Sequence, residues 1–211
     1  MLLKMKDCQH NGKLITFCGL DGCGKTTLIN MLKSYFDEMN ISVFLTKQPT
    51  DEVRNSKIFR TYMDQPNHEG YEYIALSLSA AADRVQHSNQ VILPALMEGN
   101  VVISDRYFYS CLANLQARGY ENDLWIYDIA ARIPKPDIAF FLDIDVETAV
   151  KRVRQRPKEK NIYVDMDLQY KLRNNYLQIA KENNGIVLST INAPEVTFGI
   201  IKNELKTIFK K

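Results

Sequence analysis

The chain has 211 residues, 45% hydrophobic and 25% charged, which supplies apolar material for one full core and places it among ordinary globular chains. A net charge of +2 singles out neither a nucleic acid nor an acidic surface as partner, so any work done by basic residues must come from local clusters. The four cysteines (Cys8, Cys18, Cys23 and Cys111) form no C-x-x-C pair, no run is long enough to span a membrane, and residues 1–13 lack the apolar centre of a signal peptide. These features predict reduced thiols and a cytoplasmic protein without a membrane partner.

Residues 1–12 read as a short ragged extension ahead of a single domain, within the overall span 1–211. Residues 14–18 are a short apolar run of strand type, followed directly by Gly19-Leu20-Asp21-Gly22-Cys23-Gly24-Lys25-Thr26. This is the spacing G-x-x-x-x-G-K-[ST]. Residues 26–39 then carry Leu28, Met31, Leu32, Tyr35, Phe36 and Met39 at helical spacing. Strand, glycine-rich turn and helix, in that order, are the context of a phosphate-binding loop. Backbone N–H groups of the turn and the positive end of the helix cradle phosphate oxygens, and glycines let the backbone come close. Lys25 reaches the terminal phosphates and the Thr26 hydroxyl ligates Mg²⁺.

A second strand is predicted at 41–46, with Lys47-Gln48-Pro49-Thr50-Asp51 at its exit, the edge where ligands collect in open α/β sheets. Helices are predicted at 52–63, 71–89 and 91–98, the last started or kinked near Pro94. Val101-Val102-Ile103-Ser104 is a β-branched buried strand, and Asp105-Arg106-Tyr107 stands at its exit. Charges that leave a buried strand are costly unless they meet a ligand or a partner. Helices follow at 109–117 and 123–133, a fourth strand at 138–142, and a helix at 146–156 whose polar face bears Lys151, Arg152, Arg154 and Arg156. A basic connection, a helix at 165–183, a fifth strand at 186–190 and a helix at 195–210 complete the chain. Strands alternating with helices predict an α/β fold with a parallel sheet, and five strands fit a compact three-layer P-loop domain.

A phosphate loop alone serves ATPases, GTPases and kinases. The guanine-reading N-K-x-D is absent. A kinase needs an acceptor pocket facing the γ-phosphate, a guanidinium for the acceptor's phosphate, and a basic cover. Arg106 can hold an acceptor phosphate bidentately, or pair with Asp83 or another carboxylate. Asp105 can organise Mg²⁺ and its waters, or cap the next helix. The segment 154–164 can close over the triphosphate as a small lid, or be a solvated basic face.

Several stretches in one order carry a resemblance. They are Gly19 to Thr27, Lys47-Gln48-Pro49-Thr50, Ala81-Ala82-Asp83-Arg84-Val85-Gln86-His87, Asp105-Arg106-Tyr107 with Ser110, and Pro136-Asp137 before Phe141-Leu142-Asp143. From about residue 13 to its end the chain resembles the thymidylate kinases. That resemblance implies a three-layer P-loop NTPase fold, ATP as donor with Mg²⁺, dTMP as acceptor, and a homodimer built on helices flanking the sheet. Its partners are then small nucleotides rather than nucleic acid.

Carried over by position, the resemblance places ATP on Gly19 to Thr27 and Arg152, the latter beside the adenine. Asp21 would accept from the sugar 3′-hydroxyl, Arg84 read the pyrimidine edge and Arg106 bind the dTMP phosphate. Lys47, Ser110 and Asn114 would complete the acceptor side, and Thr26 and Asp105 the metal site. Catalysis would fall to Lys25, Asp105 and the lid. Positions 20–23 hold no basic residue, so the lid must supply the family's catalytic arginine: Arg154 and Arg156 first, Lys158 and Lys160 after them.

The chain also departs from the family. Lys47 replaces an arginine, Ala80 and Asn114 stand where aromatic walls flank the base, Leu115 replaces a glutamine, and the lid lacks the usual Asp-Arg pair. Tyr71, Tyr73, Tyr107 and Tyr109 are candidates to fill the space. A kinase for another pyrimidine nucleotide or nucleoside, or a weakly active nucleotide-binding regulator, is the alternative.

Overall fold

The computed structural model describes residues 2–160 and 163–209, without the side chain of Lys158. Asn161 and Ile162 of the expected lid, the Lys158 side chain, and Lys210 at the expected end of the last helix lie outside the described residues.

Five strands form one parallel sheet: β1 (Lys13–Gly19), β2 (Val43–Lys47), β3 (Val101–Asp105), β4 (Ile138–Asp143) and β5 (Ile186–Ser189). Their order, β2-β3-β1-β4-β5, puts β1 in the centre. Leu14, Ile15, Phe17 and Cys18 of β1 are fully buried, as are Val102 and Ile103 of β3. Near-continuous apolar runs of this kind suit strands covered on both faces. The helix α1 (Lys25–Glu38) packs on the sheet with α10 (Pro194–Leu205) beside it. The helices α4 (Tyr73–His87), α6 (Phe108–Ala117) and α9 (Met166–Glu182) form a second packed group against it. The Phe17 and Phe140 rings meet at 5.2 Å on neighbouring strands, and Tyr109 of α6 meets Phe141 at the same distance.

Register decides where chemistry can gather. Asp105 pairs with Phe17 on one side and with Lys47 on the other, so β2 and β3 end level and β1 runs two residues further, to Gly19. The turn after β1, the exit of β2 and the exit of β3 therefore share one carboxyl edge.

Several boundaries differ from the sequence reading. The single helix expected at 52–63 is two, α2 (Asp51–Arg54) and α3 (Lys57–Asp64). Ser56 divides them: its backbone turns extended and its Oγ accepts from Phe59 N at 3.3 Å, capping α3. Conversely, α4 does not stop at Asn89. It runs on through a π turn (Ser88–Ile92) into α5 (Leu93–Met97). Pro94 lies in the first turn of α5, directly after the π turn that interrupts the regular helical ladder. The helix expected at 123–133 shortens to α7 (Trp125–Ala130), and α8 (Val146–Arg154) ends before Arg156, the chain entering a 3₁₀ turn at Pro157–Glu159.

The N-terminal stretch is not ragged. Leu3 and Met5 are buried, Leu3 N donates to Asn183 Oδ1 at 2.8 Å, and Lys6 is bonded through its backbone to Ile133 and Lys135. Alternation explains it: Leu3 and Met5 point inward while Lys4 and Lys6 stay exposed. Met5→Ala should lower unfolding free energy by about 2 kcal/mol, read as a shifted midpoint in chemical denaturation. An unshifted midpoint would detach this segment from the folded unit.

Candidate active site

The turn between β1 and α1 holds three left-handed glycines, Gly19 (φ 138°), Gly22 (φ 83°) and Gly24 (φ 96°). Gly22 has a second constraint: a Cβ there would lie 2.1 Å from Ala149 O, so the loop sits directly on α8. Leu20, Gly22 and Cys23 are buried, while Asp21, Thr26 and Thr27 are exposed. Lys25 is buried and curls over the loop, its Nζ donating to Leu20 O at 2.8 Å and Gly19 O at 3.1 Å. Its ammonium thus rests at the centre of the ring of backbone that Gly19 to Thr27 define. Thr26 and Thr27 open the helix behind it.

Facing this loop, Arg106 leaves β3 in the left-handed region (φ 68°), uncommon outside glycine and found where surrounding structure enforces it. The enforcing contacts are Arg106 N to Phe17 O at 2.8 Å and Ser104 Oγ to Arg106 O at 2.7 Å. The turn aims the guanidinium across the cleft. Nη2 donates to Asp21 Oδ1 at 2.6 Å and Nη1 to Tyr176 Oη at 3.0 Å. Asp83, the other carboxylate considered for this arginine, instead accepts from the backbone N and hydroxyl of Thr50. Arg106 beside Asp21 holds that carboxyl well below the usual range, with Lys25 and Arg54 adding to the effect. Burial works against the charge on Arg106, but Asp21, Tyr176 and Asp105 together outweigh it, and its pKa stands well above the ordinary value.

The cleft that Leu20, Asp21, Arg106 and Tyr176 help to line has a volume of about 890 Å³, and Lys25 and Thr26 are not among its lining residues. It brings together Leu20, Asp21, Lys47, Arg84, Arg106, Ser110, Asn114 and Arg156 from the residues singled out in the sequence. Arg152 and Arg154 are not among its lining residues: Arg152 donates to Thr190 O at 3.2 Å beside the exit of β5, and Arg154 is exposed. Arg156 does reach the cleft and pairs with Glu159 at 2.9 Å. Asp105 faces Lys47 at 3.8 Å, and its Oδ1 is buried with no partner among the described residues. It does not cap α6, whose N-cap is Tyr107.

Sequence reasoning missed Arg54. Its Nε donates to Pro49 O at 2.7 Å, and it lines the cleft with Lys47 and Arg106. Burial, and then Arg106 nearby, lower its pKa; burial and Arg54 do the same to Lys47. Crowded cations of this kind define an anion site. Nothing in the spacing from Pro49 to Arg54 announces it, because the direction of Arg54 is set by hydrogen bonds back to the Pro49 and Gln48 carbonyls. Phe59 and Tyr62 of α3 were missed as well, and Tyr176 of α9. Of the tyrosines offered as pocket walls, Tyr73 lines the cleft. Tyr107 and Tyr109 do not, because both are buried elsewhere: Tyr107 Oη donates to Pro134 O at 2.6 Å, and Tyr109 packs on Phe141. Tyr71 is not a lining residue either.

The exit of β2 is fastened from α4. Gln48 Nε2 donates to His87 Nδ1 at 3.1 Å, which leaves the proton on Nε2, directed to Thr46 Oγ1 at 2.9 Å. Burial lowers the His87 pKa.

A strand–loop–helix cradle for phosphate, with a separate cationic pocket on the same sheet edge, defines a P-loop phosphotransferase that acts on a second anionic substrate. The sequence profile of the thymidylate kinase family matches residues 17–198. A probable thymidylate kinase of Pyrococcus horikoshii is 40% identical over 172 residues, 81% of this chain and 83% of that one. A thymidylate kinase of Prochlorococcus marinus is 31% identical over 94% of this chain and 98% of its own. The crystal structure of thymidylate kinase from Ehrlichia chaffeensis superposes with a TM-score of 0.69 at 26% identity, covering 92% of this chain and 99% of that one. The chain belongs to the thymidylate kinase family, and is a nucleoside monophosphate kinase.

His87 gives this site a pH signature. Its folded pKa lies below the unfolded value, so the unfolded chain takes up the proton first as pH falls. Stability from the Thr46–His87–Gln48 link is complete above about pH 6.5 and is lost on acidification below it. Equilibrium unfolding between pH 5 and 7.5 should show a decline that His87→Asn flattens; an identical slope in the variant would remove His87 from the account.

Proposed function

We propose that the protein transfers the γ-phosphate of ATP to dTMP, giving dTDP. The observation that carries this reading is the position of Arg106: level with the phosphate loop, aimed into the same cleft, and backed there by Lys47 and Arg54. That arrangement suits an acceptor bearing its own phosphate.

In this reading the donor phosphates lie on the loop from Gly19 to Thr27, and Lys25 exchanges its two loop carbonyls for phosphate oxygens. The donor set for Mg²⁺ is an exposed hydroxyl, Thr26, at the start of α1, and a carboxylate, Asp105, with one buried oxygen lacking a partner among the described residues. One hydroxyl and one carboxylate fit an ion that keeps several waters and takes its other ligands from phosphate. Mg²⁺ there neutralises charge on the phosphates. Arg106, with Lys47 and Arg54, fixes the acceptor phosphate so that its oxygen attacks in line as the bond to ADP breaks.

Asp21, held ionised by Arg106, accepts from the sugar 3′-hydroxyl, and Arg84, Ser110 and Asn114 line the path to the base. Arg152 supports the adenine side from its place near Thr190. The 154–164 segment covers the site as a lid, with Arg156 bringing charge to the transferring group. The same reading makes the protein one cytoplasmic domain that forms a homodimer, with nucleotides rather than nucleic acid as partners. Among the described residues no helix is long and apolar enough to cross a membrane.

An ATP-consumption panel over dTMP, dUMP, dCMP, dGMP, UMP and thymidine tests the acceptor; turnover should be highest with dTMP and absent with thymidine, which has no phosphate for Arg106. Lys25→Ala should abolish turnover, and near-normal rates would refute the loop assignment. Arg156→Ala should lower kcat at least about tenfold, and Arg154→Ala less than about twofold. The opposite ranking would move the lid charge to Arg154.

A further inference from the structure

The far end of the cleft is a slot between α4 and α6. On α4 the side chains facing it include Ala80 and Arg84; on α6 they include Ser110 and Asn114. Ser110 lies near the phosphate end, four residues after Arg106, and Asn114 one helical turn of about 5.4 Å beyond it. The side chains there are small: Asn114 stands at that second height on α6, and Ala80 is among the lining residues of α4.

A third group fills the height. Arg118 caps α6 one turn further on, and its side chain folds back as helical side chains do. Nη1 donates to Asn114 Oδ1 at 2.9 Å, and Cζ lies 4.2 Å from the centroid of the Tyr73 ring. Tyr73 is itself buried and braced edge-on by Tyr62 at 5.2 Å. The guanidinium is thus fixed on one face by a ring and at one corner by an amide. Its Nε and Nη2 have no hydrogen-bond partner among the described residues, and Arg118 lines the cleft. On the α4 wall, Arg84 is buried; its Nη1 donates to Ala80 O at 2.8 Å and its Nε is buried without a partner among the described residues.

Guanidinium groups donate and never accept. Two of them in one slot favour a ring whose edges carry carbonyls. A 2,4-dioxopyrimidine offers O2 and O4. A 4-aminopyrimidine keeps O2 and has an accepting N3, and only at position 4, where an amino group replaces O4, does it set donor against donor.

We propose that Arg118 determines acceptor specificity, donating through its free edge to the ring's O4 and so favouring 2,4-dioxopyrimidine nucleotides over 4-amino ones. The assignment rests on the reading of this cleft as the acceptor pocket. Calorimetric binding of dTMP and dCMP to the wild type, Arg118→Gln and Arg118→Lys tests it, with thermal melts alongside. The wild type should prefer dTMP. In Arg118→Gln dTMP should weaken about tenfold and dCMP no more than about twofold, collapsing the preference, because a charged hydrogen bond to one of them is lost. Arg118→Lys, which keeps charge without the planar fork, should fall between.

Equal weakening of both nucleotides, or dTMP binding unchanged, would overturn the proposal. If the Gln variant does not fold, the Lys variant decides: a preference within about twofold of wild type rules against Arg118. Turnover reports on the other reading. A wild type that binds dTMP with this preference yet transfers no phosphate would refute phosphoryl transfer and leave the Arg118 assignment standing.

Discussion

One ion pair ties the two halves of the site together. Asp21 belongs to the phosphate loop after β1, and Arg106 to the turn after β3; their side chains meet at 2.6 Å across the cleft mouth. Arg106 is nearly enclosed, with 14% of its side chain exposed, while Asp21 stays 70% exposed. The arrangement is asymmetric for a reason. A buried guanidinium needs a counter-charge, and an exposed carboxylate supplies it without losing its own water. The pair holds Arg106 ionised and aimed, ready for a phosphate, and leaves Asp21 accessible to a sugar hydroxyl.

The sheet makes that meeting possible. Because β1 and β3 are parallel neighbours with Phe17 opposite Asp105, the two turns emerge side by side. Arg106 then needs its left-handed backbone to turn toward the loop rather than follow the strand. The strain is small beside what holds it, with Phe17 and Ser104 each bonding its main chain and Tyr107, the next residue, locked into the interior. Electrostatic preorganisation of this kind places charge where it is wanted before any ligand arrives.

Much of this was legible in the sequence, for identifiable reasons. The loop from Gly19 to Thr26 announces itself because its geometry requires glycine, lysine and hydroxyl at fixed offsets. The five strands announce themselves because burial on both faces demands unbroken apolar runs. Arg106 was legible because charge at a strand exit has few innocent explanations. What stayed hidden depends on side-chain direction. Arg54 and Arg118 sit in unremarkable sequence, and only the bonds of Arg54 to the Gln48 and Pro49 carbonyls and the backward fold of Arg118 over Tyr73 bring them to the cleft. Tyr107 and Tyr109 looked like pocket walls by proximity in sequence, but the extended backbone at Tyr107 and the helix phase of Tyr109 turn them into the core. The N-terminal residues read as a short ragged extension; two inward side chains at alternate positions were enough to anchor them.

The contact between Gly22 and Ala149 has a mechanical consequence. The backbone of α8 occupies the space a side chain at position 22 would need, and Val153 lies just beyond it. The donor cradle is therefore seated on the same rod that leads into the basic segment. That rod ends at Arg154, with Gln155 as its C-cap. Substitutions at Ala149 or Val153, neither of which need touch a nucleotide, would be transmitted straight into the curvature of the cradle.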